Sequence, residues 1–200
     1  MDSSQWNDRY REQELVWSAG PNQFVEAICA PLAPGRSIDL AAGEGRNALW
    51  LAERGWDSTA VDFSDVALGK AQAIAERRGV RLTTEVADLA TYVPEPSGYD
   101  LVVVAYLQLP AAELDPILGR AAAAVAPGGT FVLINHDLAN LDGGYGGPQS
   151  AAVLSTPEQV VAAVGDTVVI ERAEVVERHV GTPDGRRTAL DTLVVARRPG

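Results

Sequence analysis

The chain has a single cysteine, Cys29, in 200 residues, so it can form neither an internal disulfide nor a cysteine-built metal site. The neighbours Phe24, Val25, Ala27 and Ile28 predict a buried structural thiol there. Histidine is almost as scarce: His136 and His179 are far apart and lack metal-ligand spacing, which argues against zinc. No apolar run approaches the roughly 20 residues that cross a bilayer. The opening MDSSQWNDRYREQE is too polar for a signal peptide. Together these absences predict a soluble, cytoplasmic protein with no membrane partner. Basic residues are outnumbered 27 to 16 by acidic ones, giving a formal net charge of -11. That field repels phosphate backbones, so nucleic-acid binding is not expected as a main function. The small basic pairs Arg186-Arg187 and Arg197-Arg198 read as solvated strand ends. Gly-Lys-Ser/Thr does not occur, which excludes a Walker phosphate loop.

What remains is the composition of one ordinary globular domain, 46% hydrophobic and 22% charged. From Arg36 onward, strand-like and helix-like segments alternate. Strands are predicted at Arg36 to Leu40, Asp57 to Val61, Val80 to Val86, Tyr99 to Tyr106 and Gly129 to Asn135. Helices are predicted at Gly45 to Arg54, Ser64 to Arg78, Pro110 to Val125 and Thr156 to Val164. The nearly continuous apolar run Tyr99 to Tyr106 is the pattern of a strand buried on both faces. Such alternation implies βαβ units, a parallel sheet and right-handed crossovers. The end of the chain departs from it. Thr167 to Val180 and Arg187 to Ala196 flank Thr182-Pro183-Asp184-Gly185, a turn sequence that predicts an antiparallel hairpin. The expectation is an α/β fold: a Rossmann-like, seven-stranded, mostly parallel sheet with an antiparallel C-terminal hairpin and helices on both faces. Residues 1–35, with Trp6, Tyr10 and Trp17, read as an N-terminal helical lid before a domain at 36–200. The glycine-rich stretch Asp137 to Ser150 is a second candidate cover, with Tyr145 as its one aromatic.

The first strand runs into Asp39-Leu40-Ala41-Ala42-Gly43-Glu44-Gly45. In a parallel sheet, ligands bind beyond the carboxyl ends of the strands where the strand order reverses, and this strand ends there. Glycines let the backbone pass close beneath a ligand and aim helix amides at it. Ala48 occupies the third glycine position of the dinucleotide pattern, and Asp39 and Glu44 would repel a pyrophosphate but attract a sulfonium or ammonium. Asp62 closes the second strand, where a carboxylate can grip ribose hydroxyls. Asp88 follows the third strand, placed to accept from an exocyclic adenine amine. Three acids at three strand ends describe a nucleoside with a cationic tail.

With Val61-Asp62-Phe63-Ser64, Ala87-Asp88-Leu89, Tyr99-Asp100-Leu101-Val102 and Pro127-Gly128-Gly129 in this order, residues 36–200 resemble the class I S-adenosylmethionine-dependent methyltransferases. Gly43-Glu44-Gly45-Arg46-Asn47 is most similar to the small tellurite-resistance and thiopurine methyltransferase-like group. The resemblance implies that Asp39 and the loop Ala41, Gly43, Gly45, Arg46 and Asn47 hold the methionine moiety of S-adenosylmethionine. It likewise puts Asp62 at the ribose, Ser64 in the cofactor site beside it, Asp88 and Leu89 at adenine, Phe63 against the ring, and Trp17 over the cofactor from the lid. Tyr106 would line the methyl-transfer site. His136, after the fifth strand, is the candidate base, and His179, near the hairpin turn, a second candidate catalytic group. The hydrophobic Ala105-Tyr106-Leu107-Gln108-Leu109 suits a soft nucleophile, so the expected partner is a small-molecule methyl acceptor such as a thiol or chalcogen oxyanion. The chain is expected to act as a monomer or homodimer. The alternatives are a nucleotide-binding oxidoreductase of the Rossmann type, or a protein that binds S-adenosylmethionine or S-adenosylhomocysteine without turnover.

Overall fold

The computed structural model describes residues 3–12, 15 and 20–200. Seven strands form one sheet in the order β3-β2-β1-β4-β5-β7-β6. They are β1 (Arg36–Leu40), β2 (Asp57–Asp62), β3 (Thr83–Val86), β4 (Tyr99–Ala105), β5 (Val125–His136), β6 (Val169–Thr182) and β7 (Gly185–Arg197). The first five are parallel, and β7 returns antiparallel between β5 and β6. The chain therefore reverses its direction of winding between β1 and β4, and that switch point opens at the carboxyl ends of both strands.

Alternation along the central strands assigns side chains to two cores. On one face, Ile38, Leu40, Val102, Val104, Phe131, Leu133 and Val194 pack against α5 (Ala111–Ala124) and α6 (Pro157–Val164). On the other, Leu101, Val103, Val132, Ile134 and Leu193 pack against α2 (Gln23–Cys29) and α3 (Arg46–Glu53). Next to them, α4 (Asp65–Arg78) closes over Ala60 and the flank of α3. Cys29 is in this second core, and burial pushes its thiol up to about 12, with the charge of Asp39 adding to the effect. Residues 23–29 thus belong to the body of the fold, with Val25 and Cys29 essentially fully buried.

Local sequence explains the element ends. Ser64 caps α4 by accepting from the Ala67 amide, and Asp65 sits in its first turn. Arg77 and Arg78 are in its last turn, before Gly79 in the left-handed region. Val80 N–H bonds back to the Ala75 carbonyl, so Val80 closes this helix and β3 starts at Thr83 rather than Val80. β5 starts earlier than expected, at Val125, because Val125 already pairs with Tyr99; residues 126–129 then bulge out, and pairing resumes at Leu101 and Thr130. A side chain at Gly129 would meet the Ala126 and Asp100 carbonyls at 2.9 and 3.0 Å, so only glycine fits there. The Pro183-Asp184 turn joins β6 to β7 as an antiparallel hairpin, with Thr182 Oγ1 donating to the Gly185 carbonyl at 2.7 Å. No helix among the described residues is long and apolar enough to cross a membrane.

Candidate active site

At the carboxyl end of β1 the chain turns through Ala41 and Gly43, both with positive φ, into Gly45, the left-handed cap of α3. A Cβ at Gly45 would lie 2.9 Å from that of Ala71, so this glycine allows α3 and α4 to close on each other. Asp62 pins the loop from the next strand. Its Oδ2 accepts from the Gly43 amide at 2.8 Å and its Oδ1 from the Ser64 amide at 2.9 Å. Burial raises the carboxyl, and these amides oppose the rise. The anchored carboxylate keeps lone pairs for a ligand hydroxyl.

Asp39 is on the β1 face that looks under α3, in register with Ala60 and Val103. It is 1% exposed, and neither carboxylate oxygen has a hydrogen-bond partner. Burial pushes it up to about 7, while the charge of Arg46 and the nearby Ala48 amide, which does not reach it as a hydrogen bond, pull the other way. Glu44 does not share this position. It is buried beside Lys70 of α4, whose Nζ donates to Oε1 at 3.0 Å. The expectation that Glu44 faces a cationic ligand together with Asp39 is therefore corrected: its charge is already matched by lysine.

On the other side of the loop, Leu89 is buried and Asp88 is exposed, its Oδ1 accepting from the Ala90 amide. Phe63 is half-buried between Asp62 and Ser64. Arg120 of α5 fixes this turn, donating to the carbonyls of Leu89, Ala90 and Tyr92. Packed on α4 beside this loop is α1 (Ser3–Glu12), where Asn7 bonds Ser64 and Asp65 and Tyr10 is buried beside Lys70. Ser64 is thus committed to capping α4 and to Asn7. Asn47 is committed too, its Oδ1 accepting from the Asn22 amide. Trp17 lies outside the described residues.

A second polar cluster continues the row of strand ends. Tyr106 follows β4 with φ 57, and its hydroxyl donates to Asp191 Oδ2 at 2.8 Å while accepting from Asn22 Nδ2 at 3.1 Å. His136 ends β5 and stacks at a tilt on Tyr106, centroids 4.8 Å apart. Its Nδ1 is 3.1 Å from Asp191 Oδ1. Asp191 comes from β7, directly opposite His136, and also accepts from Arg178 Nε of β6 at 2.7 Å. Burial alone would raise Asp191, yet the bonds from His136, Arg178 and Tyr106 hold it below the usual carboxylate range. Tyr106 moves up, through burial and the neighbouring Asp191 charge, and stays a neutral phenol. Arg46 and Arg178 each approach the Tyr106 ring, at 5.7 and 5.6 Å.

The structure therefore brings Tyr106 and His136 together and leaves His179 apart. On alternating β6, Arg178 faces inward, and His179 is exposed, its Nδ1 3.4 Å from Thr188 Oγ1. Sequence reading missed Asp191 and Asn22. The available signal was Asp191 itself, the one charged residue in the apolar run Ala189 to Ala196. Asp137 to Ser150 forms an ordered flap rather than a free loop. Buried Asn140 accepts from the Leu190 amide, the Tyr145 amide bonds the Thr188 carbonyl, and Gly147 packs on the His136 ring.

Parts of the chain are similar to known proteins. The family described as "Methyltransferase domain" matches residues 38–129. Demethylmenaquinone methyltransferase of Thermus thermophilus is 37% identical over 105 residues, 51% of this chain and 47% of that protein. The chain spans about a third to two thirds of the length of the curated relatives it matches. Among solved structures, the N-methyltransferase NodS from Bradyrhizobium japonicum, in complex with S-adenosylhomocysteine, superposes with a TM-score of 0.73 at 17% identity over 100% of both chains. TehB from Haemophilus influenzae superposes with a TM-score of 0.73 at 16% identity, over 98% of this chain and 66% of that one. Residues 38–129 are thus similar to a methyltransferase domain, and the described residues share the Rossmann-like fold of the S-adenosylhomocysteine-bound methyltransferase NodS.

Proposed function

We propose that the protein transfers a methyl group from S-adenosylmethionine to a small-molecule acceptor. The observation that carries this reading is Asp39, a carboxylate buried at the switch point with both oxygens unpartnered. A buried, unpaired carboxylate is costly, and a cationic ligand group removes the cost. The ammonium of a methionine moiety has that charge and donor set. A pyrophosphate has the opposite charge, which disfavours the dinucleotide alternative.

Asp39 and the Gly43–Gly45 turn would hold the methionine end, Asp62 the ribose, and Leu89 with Asp88 the adenine, with Phe63 against the ring. S-adenosylmethionine supplies an already activated methyl on a sulfonium, so the protein's work is alignment and exclusion of water. Adjacent strands are roughly 4.8 Å apart, which puts the end of β5 about 10 Å along the rim from Asp39. Tyr106 and His136 therefore border the acceptor side of the cleft, and α1 and the 137–150 flap cover it. A soft nucleophile such as a thiol or chalcogen oxyanion suits the apolar stretch around Leu107 and Leu109. The demethylmenaquinone named for the Thermus relative supports a small-metabolite acceptor in general. The test is S-adenosylhomocysteine release from purified protein given S-adenosylmethionine and a panel of thiols, selenite, tellurite, halides, phenols and amines. Release that depends on one acceptor class supports the reading. Binding of S-adenosylhomocysteine without release from any member would favour a non-catalytic binding protein.

A further inference from the structure

The cluster around Asp191 indicates what kind of acceptor the site takes. Asp191 is fully buried, and its two oxygens receive Tyr106 Oη, Arg178 Nε and His136 Nδ1. An ionised carboxylate only accepts, so Nδ1 must carry the proton of this bond, and in the neutral imidazole the lone pair is then on Nε2. No hydrogen bond reaches Nε2 among the described residues, and the ring keeps 14% of its surface exposed. Tyr106 on one side and Gly147 on the other, where a Cβ would come within 3.0 Å of the ring, leave the imidazole no room to turn. The charged and titratable groups facing it are Tyr106 from β4, Asp191 from β7 and Arg178 from β6, with Arg46 of α3 beyond the Tyr106 ring.

We propose that the acceptor is a weak acid, an un-ionised hydroxyl or thiol, whose proton is taken by Nε2 of His136, with Asp191 as the positioning residue that fixes the imidazole tautomer. The inference rests on the methyltransferase reading above and narrows its acceptor to a protonated hydroxyl or thiol, which sets the chalcogen oxyanion aside. In the step, the acceptor's X–H bond yields its proton to Nε2 and the electron pair stays on X. That pair forms the bond to the methyl carbon as the carbon–sulfur bond breaks, and its electrons remain on sulfur. The imidazolium then loses its proton to water. Asp191, which Arg178 shares, offsets part of the positive charge that appears on His136. An ammonium acceptor is disfavoured by Arg46 and Arg178, and an acceptor ionised in solution would have no use for the base.

Two measurements test this. The chain's two histidines give only two sets of imidazole 15N signals, so the His136 tautomer can be read without any acceptor. In the wild type His136 should be Nδ1-protonated, and in Asp191→Asn the signal should move toward the Nε2-protonated form. The second measurement follows S-adenosylhomocysteine release with phenols that are un-ionised at pH 7.5 and with thiophenols that are ionised there. His136→Gln should slow turnover of un-ionised phenols by about 10²–10⁴-fold and leave the ionised thiophenols within a few-fold. Asp191→Asn should slow the phenols tenfold or more at unchanged S-adenosylhomocysteine affinity. Equal losses for both probe classes, an Nε2-protonated His136 in the wild type, or no methylation of any probe by protein that binds S-adenosylhomocysteine would each overturn the inference. If Asp191→Asn does not fold, the wild-type tautomer and His136→Gln still decide it. Failure of the wild type to bind S-adenosylhomocysteine overturns the cofactor reading instead.

Discussion

Replacing Asp39 with asparagine should stabilise the free protein while weakening its binding site. Burial raises the folded-state carboxyl to about 7 from an ordinary 3.8. The sign follows from proton linkage. Between those values the unfolded chain has released the proton and the folded chain retains it, so stability falls as pH rises through this window and levels off above it. A shift of about 3 units at roughly 1.4 kcal/mol each caps the deficit near 4 kcal/mol. Asparagine keeps the shape and removes the charge, so Asp39→Asn should gain about 2–4 kcal/mol at pH 8 and little at pH 4. Urea unfolding at both pH values measures this directly. The same substitution removes the partner of the ligand ammonium, and calorimetry should find S-adenosylhomocysteine bound roughly 10- to 100-fold more weakly. A variant no more stable than wild type at pH 8, or one with the wild-type pH dependence, would refute the argument that Asp39 is an unpaired buried carboxylate.

Asp62→Ala removes the acceptor of the Gly43 and Ser64 amides as well as the ribose contact. Its S-adenosylhomocysteine affinity should fall at least tenfold, equivalent to about 1.4 kcal/mol or more, and unchanged affinity would sink the proposed pose. Gly147→Ala drives a methyl group into the His136 ring from a residue with φ +75. It should therefore lower kcat and leave cofactor affinity alone, and a variant with wild-type kcat would show that the flap does not hold this ring. Hydrogen exchange should show amides 10–20 and 138–147 gaining protection together on S-adenosylhomocysteine binding, as a closing cover requires. Protection confined to 43–45 would leave α1 and the flap as fixed walls.

The strand ends and the glycine turn were legible because they depend on local chemistry. Alternation of apolar runs marked β1, β2 and β4, Ser64 marked the start of α4, and Pro183-Asp184-Gly185 marked the final hairpin. The acceptor cluster was not legible, because it depends on register. His136 and Asp191 meet only because β5 and β7 pair residue for residue across 55 positions of chain. One residue of slip would turn Asp191 to the α5 and α6 face. The same parity decided between Arg178 and His179 on β6: neighbouring residues of one strand point to opposite faces, and the sequence around the turn does not say which is inward. Glu44 misled for a different reason. Its place beside Gly43 and Gly45 is local, but its partner Lys70 is on α4, and α4 reaches the loop only after α3 and α4 close at Gly45 and Ala71. Asn22 depends on a still longer connection, since one side chain caps α2 and also reaches Tyr106.

S-adenosylmethionine is proposed to bind at the carboxyl ends of β1 and β2. Calorimetric titration of the wild-type protein with S-adenosylhomocysteine, alongside NAD and NADP, tests it most directly. S-adenosylhomocysteine should titrate to one site per chain, weakened in both Asp39→Asn and Asp62→Ala, with no heat from either dinucleotide. Binding of NAD or NADP, or S-adenosylhomocysteine binding that neither substitution weakens, would contradict it.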